Sequence, residues 1–145
     1  MKSKRVLYLV EGETEKVFLT ALMLDQKLEH GRVQIFNCWD RKVTSILRSF
    51  PRAGFDKIYI LFDTDVIQRV DNFIHSVKEI RKVSKRVFLL QQTRHFEDEL
   101  VYSCSQLNSV DNLFAEFDAQ GADKFKREFI RVSNRLERLN RIGLA

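Results

Sequence analysis

The spacing of hydrophobic positions switches repeatedly between two periods along this chain. Arg5 to Val10 is an apolar, β-rich run, and Thr14 to Lys27 then carries Val17, Phe18, Ala21, Leu22 and Leu24 at helical spacing. Arg32 to Cys38 reads as a second strand. Val43 to Phe50 reads as a short helix that must stop before Pro51, because the residue preceding proline disfavours helical angles. Lys57 to Phe62 is nearly all apolar, the pattern of a parallel strand covered on both faces. Val66 to Val83 follows as a helix with Val70, Phe73, Ile74, Val77 and Ile80 on one side. Arg86 to Gln91 is a fourth strand and Phe96 to Leu107 another helix. Strands alternating with helices predict an α/β, Rossmann-like domain with about four mainly parallel strands flanked by helices.

Such a sheet binds its ligands at the carboxyl ends of its strands, and there the chain turns acidic. Glu11, Gly12, Glu13, Thr14 and Glu15 follow the first strand, Asp63, Thr64 and Asp65 the third, and Arg94, His95, Glu97, Asp98 and Glu99 the fourth. If the first and third strands are neighbours, Glu11 converges with Asp63 and Asp65. Crowded carboxylates raise one another's pKa unless a cation neutralises them. Mg²⁺ or Mn²⁺, which take oxygen ligands and keep waters exchangeable for a phosphate, suit such a group. The two-residue spacing of Asp63 and Asp65 lets both face one ion, and Gly12 allows a sharp exit into the next helix. Acids also follow strands because loops are polar and carboxylates suit helix N-termini, and for Glu13, Asp98 and Glu99 that explanation is sufficient.

Glu11-Gly12 closing a first strand before a helix, with a later strand ending in Asp63-x-Asp65, resembles the Toprim domain of topoisomerases, primases and several nucleases. The longer Glu11-Gly12-Glu13-Thr14-Glu15 is similar to the variant in overcoming-lysogenization-defect nucleases and related small phage-defence proteins. The resemblance covers the chain to about Leu107. It implies Mg²⁺-dependent (or Mn²⁺-dependent) phosphodiester hydrolysis in nucleic-acid processing or phage defence. It implies Glu11 as metal ligand or general acid/base, Asp63 and Asp65 as metal-binding acids, Glu15 as the second acid of the nuclease-like variant, and Glu97 as a further catalytic acid. Arg41, Lys42, Arg94 and His95 are placed to meet the phosphates of DNA or RNA; His95 can carry a proton or simply stand beside the strand end. A chain of this length leaves no space for a topoisomerase's nucleophile domain or a primase's template-binding parts. A non-catalytic Toprim-like subunit that binds nucleic acid or a partner protein is the alternative. Phe62-Asp63-Thr64-Asp65 is also similar to the nucleophile loop of haloacid-dehalogenase-type phosphatases, but those acids follow the first strand, and Ile67 stands where a Thr is usual.

Composition adjusts this picture at a few points. With 145 residues, 44% of them hydrophobic and twelve Phe, residues 1–145 are expected to form one domain: a core over about residues 4–107 and a helical extension over about 108–145. No apolar run approaches the roughly 20 residues of a membrane span, so a cytoplasmic location without membrane partners is expected. Cys38 and Cys104 lack metal or redox spacing and read as buried apolar residues. The formal net charge is +5, and from Gly121 onward seven Lys and Arg face three acids. That is either a patch for a polyanion or a solvated face of mixed charge. In the same segment Phe125, Phe129, Val132, Leu136 and Leu139 form an apolar stripe on a helix. The stripe packs on the protein's own core or joins a homodimer or another partner. Trp39 reads as the cover of a core edge or as a stacking surface for a base, and Tyr102 as lying on the buried side of its helix.

Overall fold

A computed structural model describes residues 5–39, 43–51, 54–63, 70–84, 86–92 and 96–144. Asp65, Arg41, Lys42, Arg94 and His95 lie outside the described residues. The elements are β1 (Val6–Val10), α1 (Glu13–Leu24), β2 (Arg32–Ile35), α2 (Thr44–Leu47), β3 (Lys57–Phe62), α3 (Val70–Val83), β4 (Val87–Gln91), α4 (Phe96–Ser103), α5 (Val110–Glu116), α6 (Ala122–Arg131) and α7 (Arg135–Arg141). The strands form one wholly parallel sheet in the order β2-β1-β3-β4. The protein is therefore an α/β domain of Rossmann-like type, as the alternating periods predict. Helix ends are shorter than the apolar patterns suggest: α1 stops at Leu24, which is exposed, and α4 at Ser103.

β1 is central and buried along its whole length. On one side of the sheet Leu7, Leu9, Ile58 and Ile60 pack with Phe36, Val43, Val77 and Ile80 beneath α2 and α3. Polar groups inside this layer are put to use. The backbone N–H of Val43 donates to Ser76 Oγ (3.2 Å), and Asn72 Nδ2 donates to the Trp39 carbonyl (3.2 Å), so α3 holds the segment after β2. Val70 and Ile74 do not join the buried face of α3. They lie at its first turn and on its flank and stay exposed, whereas Val77 and Ile80 are buried.

On the opposite side, α1 covers Val6, Tyr8 and Val10 with Leu19, Leu22 and Met23. Its cover does not extend to β4. Coverage of both faces, expected from the apolar composition of β3, is therefore only half realised: Tyr59, Leu61 and Phe62 are half-buried, and Phe88, Leu89 and Leu90 of β4 are exposed. The helix after β4 packs instead with α5–α7 across the outer side of α1.

That outer layer is a second core. Phe96, Leu100, Leu113, Phe114, Phe117, Phe125, Phe129 and Leu139 are buried together, with Val17 and Phe18 of α1 against them. The stripe from Phe125 to Leu139 is thus satisfied within the chain and is not an exposed dimerisation surface. It is also carried by two helices where the spacing suggests one. α6 ends at Arg131, and the Arg135 guanidinium donates to the carbonyls of Phe129 (2.8 Å), Ile130 (2.9 Å) and the capping residue Val132 (2.5 Å). It satisfies carbonyls that a helix end leaves open, while lying 5.8 Å from the centre of the Phe129 ring. Much of the basic excess is similarly committed, with Arg131 on Glu128, Arg141 near Glu116, and Arg138 over Phe117. Tyr102 is 80% exposed, because Phe96 and Leu100 occupy the buried arc of α4 and Tyr102 falls outside it.

Candidate functional site: an acidic cleft at the sheet edge

Parallel pairing of β1 with β3 settles where the first acids lie. Leu9 is level with Ile60, so one residue past each strand end brings Glu11 and Asp63 to the same carboxyl edge. Together with Glu15 and Glu97 they line a cleft of about 850 Å³ whose far wall is Val110, Phe114, Lys126 and Ile130 of α5 and α6.

Glu15 occupies the first turn of α1 and is 7% exposed. Its carboxyl is pushed above the usual carboxylate range, first by burial and then by the charges of Asp63 and Glu97. Its own backbone N–H and Lys126 oppose the shift. Glu97, at the start of α4, is 3% exposed, with Lys126 Nζ 3.7 Å from its Oε1. Glu11 is near enough to Cys38 to help burial push that thiol up to about 12. Glu15 therefore feels Asp63 and Glu97 electrically.

Gly12 makes the expected exit from β1 into α1 with an extended backbone (φ −153°), a conformation that does not itself require glycine. What it provides is room, since a Cβ there would lie 3.1 Å from Glu15 Oε2. Asp63 is held through its backbone: Trp39 Nε1 donates to the Asp63 carbonyl (3.1 Å). The Trp39 ring stacks on Phe73 at 4.4 Å and meets Phe62 edge-on, covering the core edge. Its orientation is fixed further by Asn37 Oδ1, which accepts the Trp39 backbone N–H (2.9 Å).

Of the sequence-derived candidates, Glu11, Glu15, Asp63 and Glu97 are brought to one cleft. Asp98 also borders it, half-buried, and so does the exposed Glu13. The sequence offers Lys126 only as one of the basic residues after Gly121, not as part of the acidic cleft, because it comes from the extension, far from any strand end. Its place on the same helix as the buried Phe125 and Phe129 is what brings it there.

Among the described residues no group of three or more His, Cys, Asp or Glu is drawn together as a metal-binding set. The donor chemistry nonetheless fits a hard divalent cation, because the cleft offers carboxylate oxygens and Glu15, raised first by burial, is also raised by the charges of Asp63 and Glu97 beside it. No helix among the described residues is long and apolar enough to cross a membrane. No family model matches this chain, and neither a curated protein nor a solved structure does. Fold and site alone define the class: a parallel α/β domain with a carboxylate-lined cleft at the carboxyl edge of its sheet.

Proposed function

We propose that this chain is a Toprim-like, divalent-metal-dependent phosphodiester hydrolase acting on nucleic acid, in nucleic-acid processing or phage defence in the cytoplasm. The observation that carries this reading is the parallel adjacency of β1 and β3, which delivers Glu11 and Asp63 to one edge where Glu15 and Glu97 join them. Mg²⁺ or Mn²⁺ would be held by Glu11, Asp63 and Asp65, with Glu15 beside them. Its chemistry would be activation of water and stabilisation of the leaving oxygen.

The protein's own groups act around that centre. Glu15, with its raised proton affinity, can hold a proton close to the reacting phosphate. Lys126 offers a cation to the phosphate from the opposite wall, and Trp39 fixes the Asp63 backbone. Val110, Phe114 and Ile130 make one wall apolar. Arg41, Lys42, Arg94 and His95 supply backbone contacts that do not depend on sequence.

Incubating the purified chain with single- and double-stranded DNA and RNA, in Mg²⁺, Mn²⁺ or chelator, tests the proposal. Cleavage should need the metal and vanish in Glu11→Gln and Asp63→Asn variants that remain folded. Cleavage surviving in both variants, or failing on all four substrates, sinks it. One observation favours the second reading, a binding subunit without catalysis: Lys126 already places an internal cation against Glu97. That reading predicts nucleic-acid binding without cleavage, weakened by Lys126→Met and indifferent to chelator.

A further inference from the structure

β4 forms one edge of the sheet, and its sequence, Val-Phe-Leu-Leu-Gln, has none of the charges or prolines that usually protect an edge strand. Its inward hydrogen bonds identify which backbone groups are left outside. The Arg86 carbonyl accepts from Ile58 N–H (2.9 Å), and Gln92 N–H donates to the Phe62 carbonyl (2.9 Å), so even-numbered residues face β3. By alternation, the N–H and C=O groups of Val87, Leu89 and Gln91 point away from the sheet. These three residues are spaced evenly about Leu89.

Side chains around this edge are open on both faces of the sheet. Phe88, Leu89 and Leu90 are about 40% exposed (38%, 40% and 43%). Phe88 ends a ladder of rings that crosses the sheet, Tyr8 to Tyr59 at 5.1 Å and Tyr59 to Phe88 at 4.9 Å, beyond the cover of α1.

We infer that β4 pairs antiparallel with β4 of a second copy about a two-fold axis at Leu89, joining two sheets into one of eight strands. Three features select a second copy as the occupant. In that register Leu89 exchanges both backbone bonds with the other Leu89, and each Val87 does so with the other Gln91, so every outward group is satisfied by its own equivalent. Phe88 of each copy meets Leu90 of the other on the face that α1 leaves open, extending the ring ladder by an aromatic–aliphatic pair. The charged end of the strand, at Arg86, comes beside the neutral Gln92 of the other copy and away from the other Arg86. Because the strands run in opposite directions, the two acidic clefts face opposite ways, so each copy keeps its own site.

Sedimentation velocity over a concentration series tests the pairing in wild type and three variants. Leu89→Pro deletes an N–H that β3 does not use, so the fold should survive while the join is lost. Leu89→Lys and Leu89→Glu each set like charges across the axis. The expected result is a wild-type dimer, at least about tenfold weaker association in each variant alone, and a restored one-to-one dimer when Lys and Glu variants are mixed. Far-UV circular dichroism and the emission of the single Trp39 verify folding. A wild type that stays monomeric, a Leu89→Pro variant that dimerises normally, or a charge pair that does not rescue would each overturn the inference.

Discussion

Replacing Phe129 by Ala probes whether the helical extension and the sheet domain melt as one unit. Phe129 is fully buried, with ring centroids of Phe18, Phe96, Phe117 and Phe125 between 5.4 and 6.3 Å away. Those four rings belong to α1, α4, α6 and the end of α5, so the surroundings cannot close on the void without moving several helices. Burying Ala in place of Phe in such a site costs about 3–5 kcal/mol. Loss of the Arg135 contact, at 5.8 Å, adds roughly 0.5–1 kcal/mol. A domain of this size loses about 2–4 °C in melting temperature per kcal/mol, so the midpoint should fall by roughly 7–24 °C. Calorimetry of wild type, Phe129→Ala and the exposed control Tyr102→Ala measures it, the control staying within about 0.5 kcal/mol of wild type. A shift below about 4 °C, or a melt that splits into two steps with only the first displaced, would refute the single-core account of α1 and α4–α7.

Glu15→Gln should raise stability at neutral pH. A carboxyl whose folded pKa is raised favours folding fully at pH below its unfolded value, and that contribution is lost as pH rises through the folded value. The advantage of Gln over wild type should therefore be largest at neutral pH and shrink on acidification; urea titrations across that range that show the opposite trend would discount crowding at the cleft. Lys126→Met should cost about 1 kcal/mol in the same titrations, a modest figure because the Lys side chain is half exposed although Glu97 is not. Trp39→Phe should cost about 1–2 kcal/mol through the lost bond to the Asp63 carbonyl and the lost ring area; unchanged cleavage in a folded variant would mean that Trp39 does not position Asp63 for the reaction. Both cysteines should resist a thiol reagent until the chain unfolds, since both are buried and burial raises both thiols; rapid labelling of the native protein would contradict the packing around Cys38 and Cys104.

The parallel sheet was legible because apolar strands separated by helical periods admit few other arrangements. The acids at strand ends were legible because chain direction fixes which end of each strand they follow. The convergence of Glu11 with Asp63 needed one further fact, the adjacency of β1 and β3, which local pattern does not encode. Lys126 and the break between α6 and α7 were illegible for a related reason. Both depend on where α6 lands against α1 and α4, and on Arg135 turning back onto the α6 carbonyls, contacts that side-chain spacing cannot report. The half-open face of β3 is illegible because a run such as Lys57 to Phe62 looks the same whether one face is packed or two.

The most direct test of the cleft is calorimetric titration of Mg²⁺ and Mn²⁺ into wild type and Asp63→Asn in one buffer, with melting temperatures recorded for both. Binding in wild type that disappears in the variant, without a fall in its melting temperature, is the predicted result and places the ion with Glu11 and Asp63. Equal heats in the two proteins, or no heat in either, would contradict a metal site at this sheet edge.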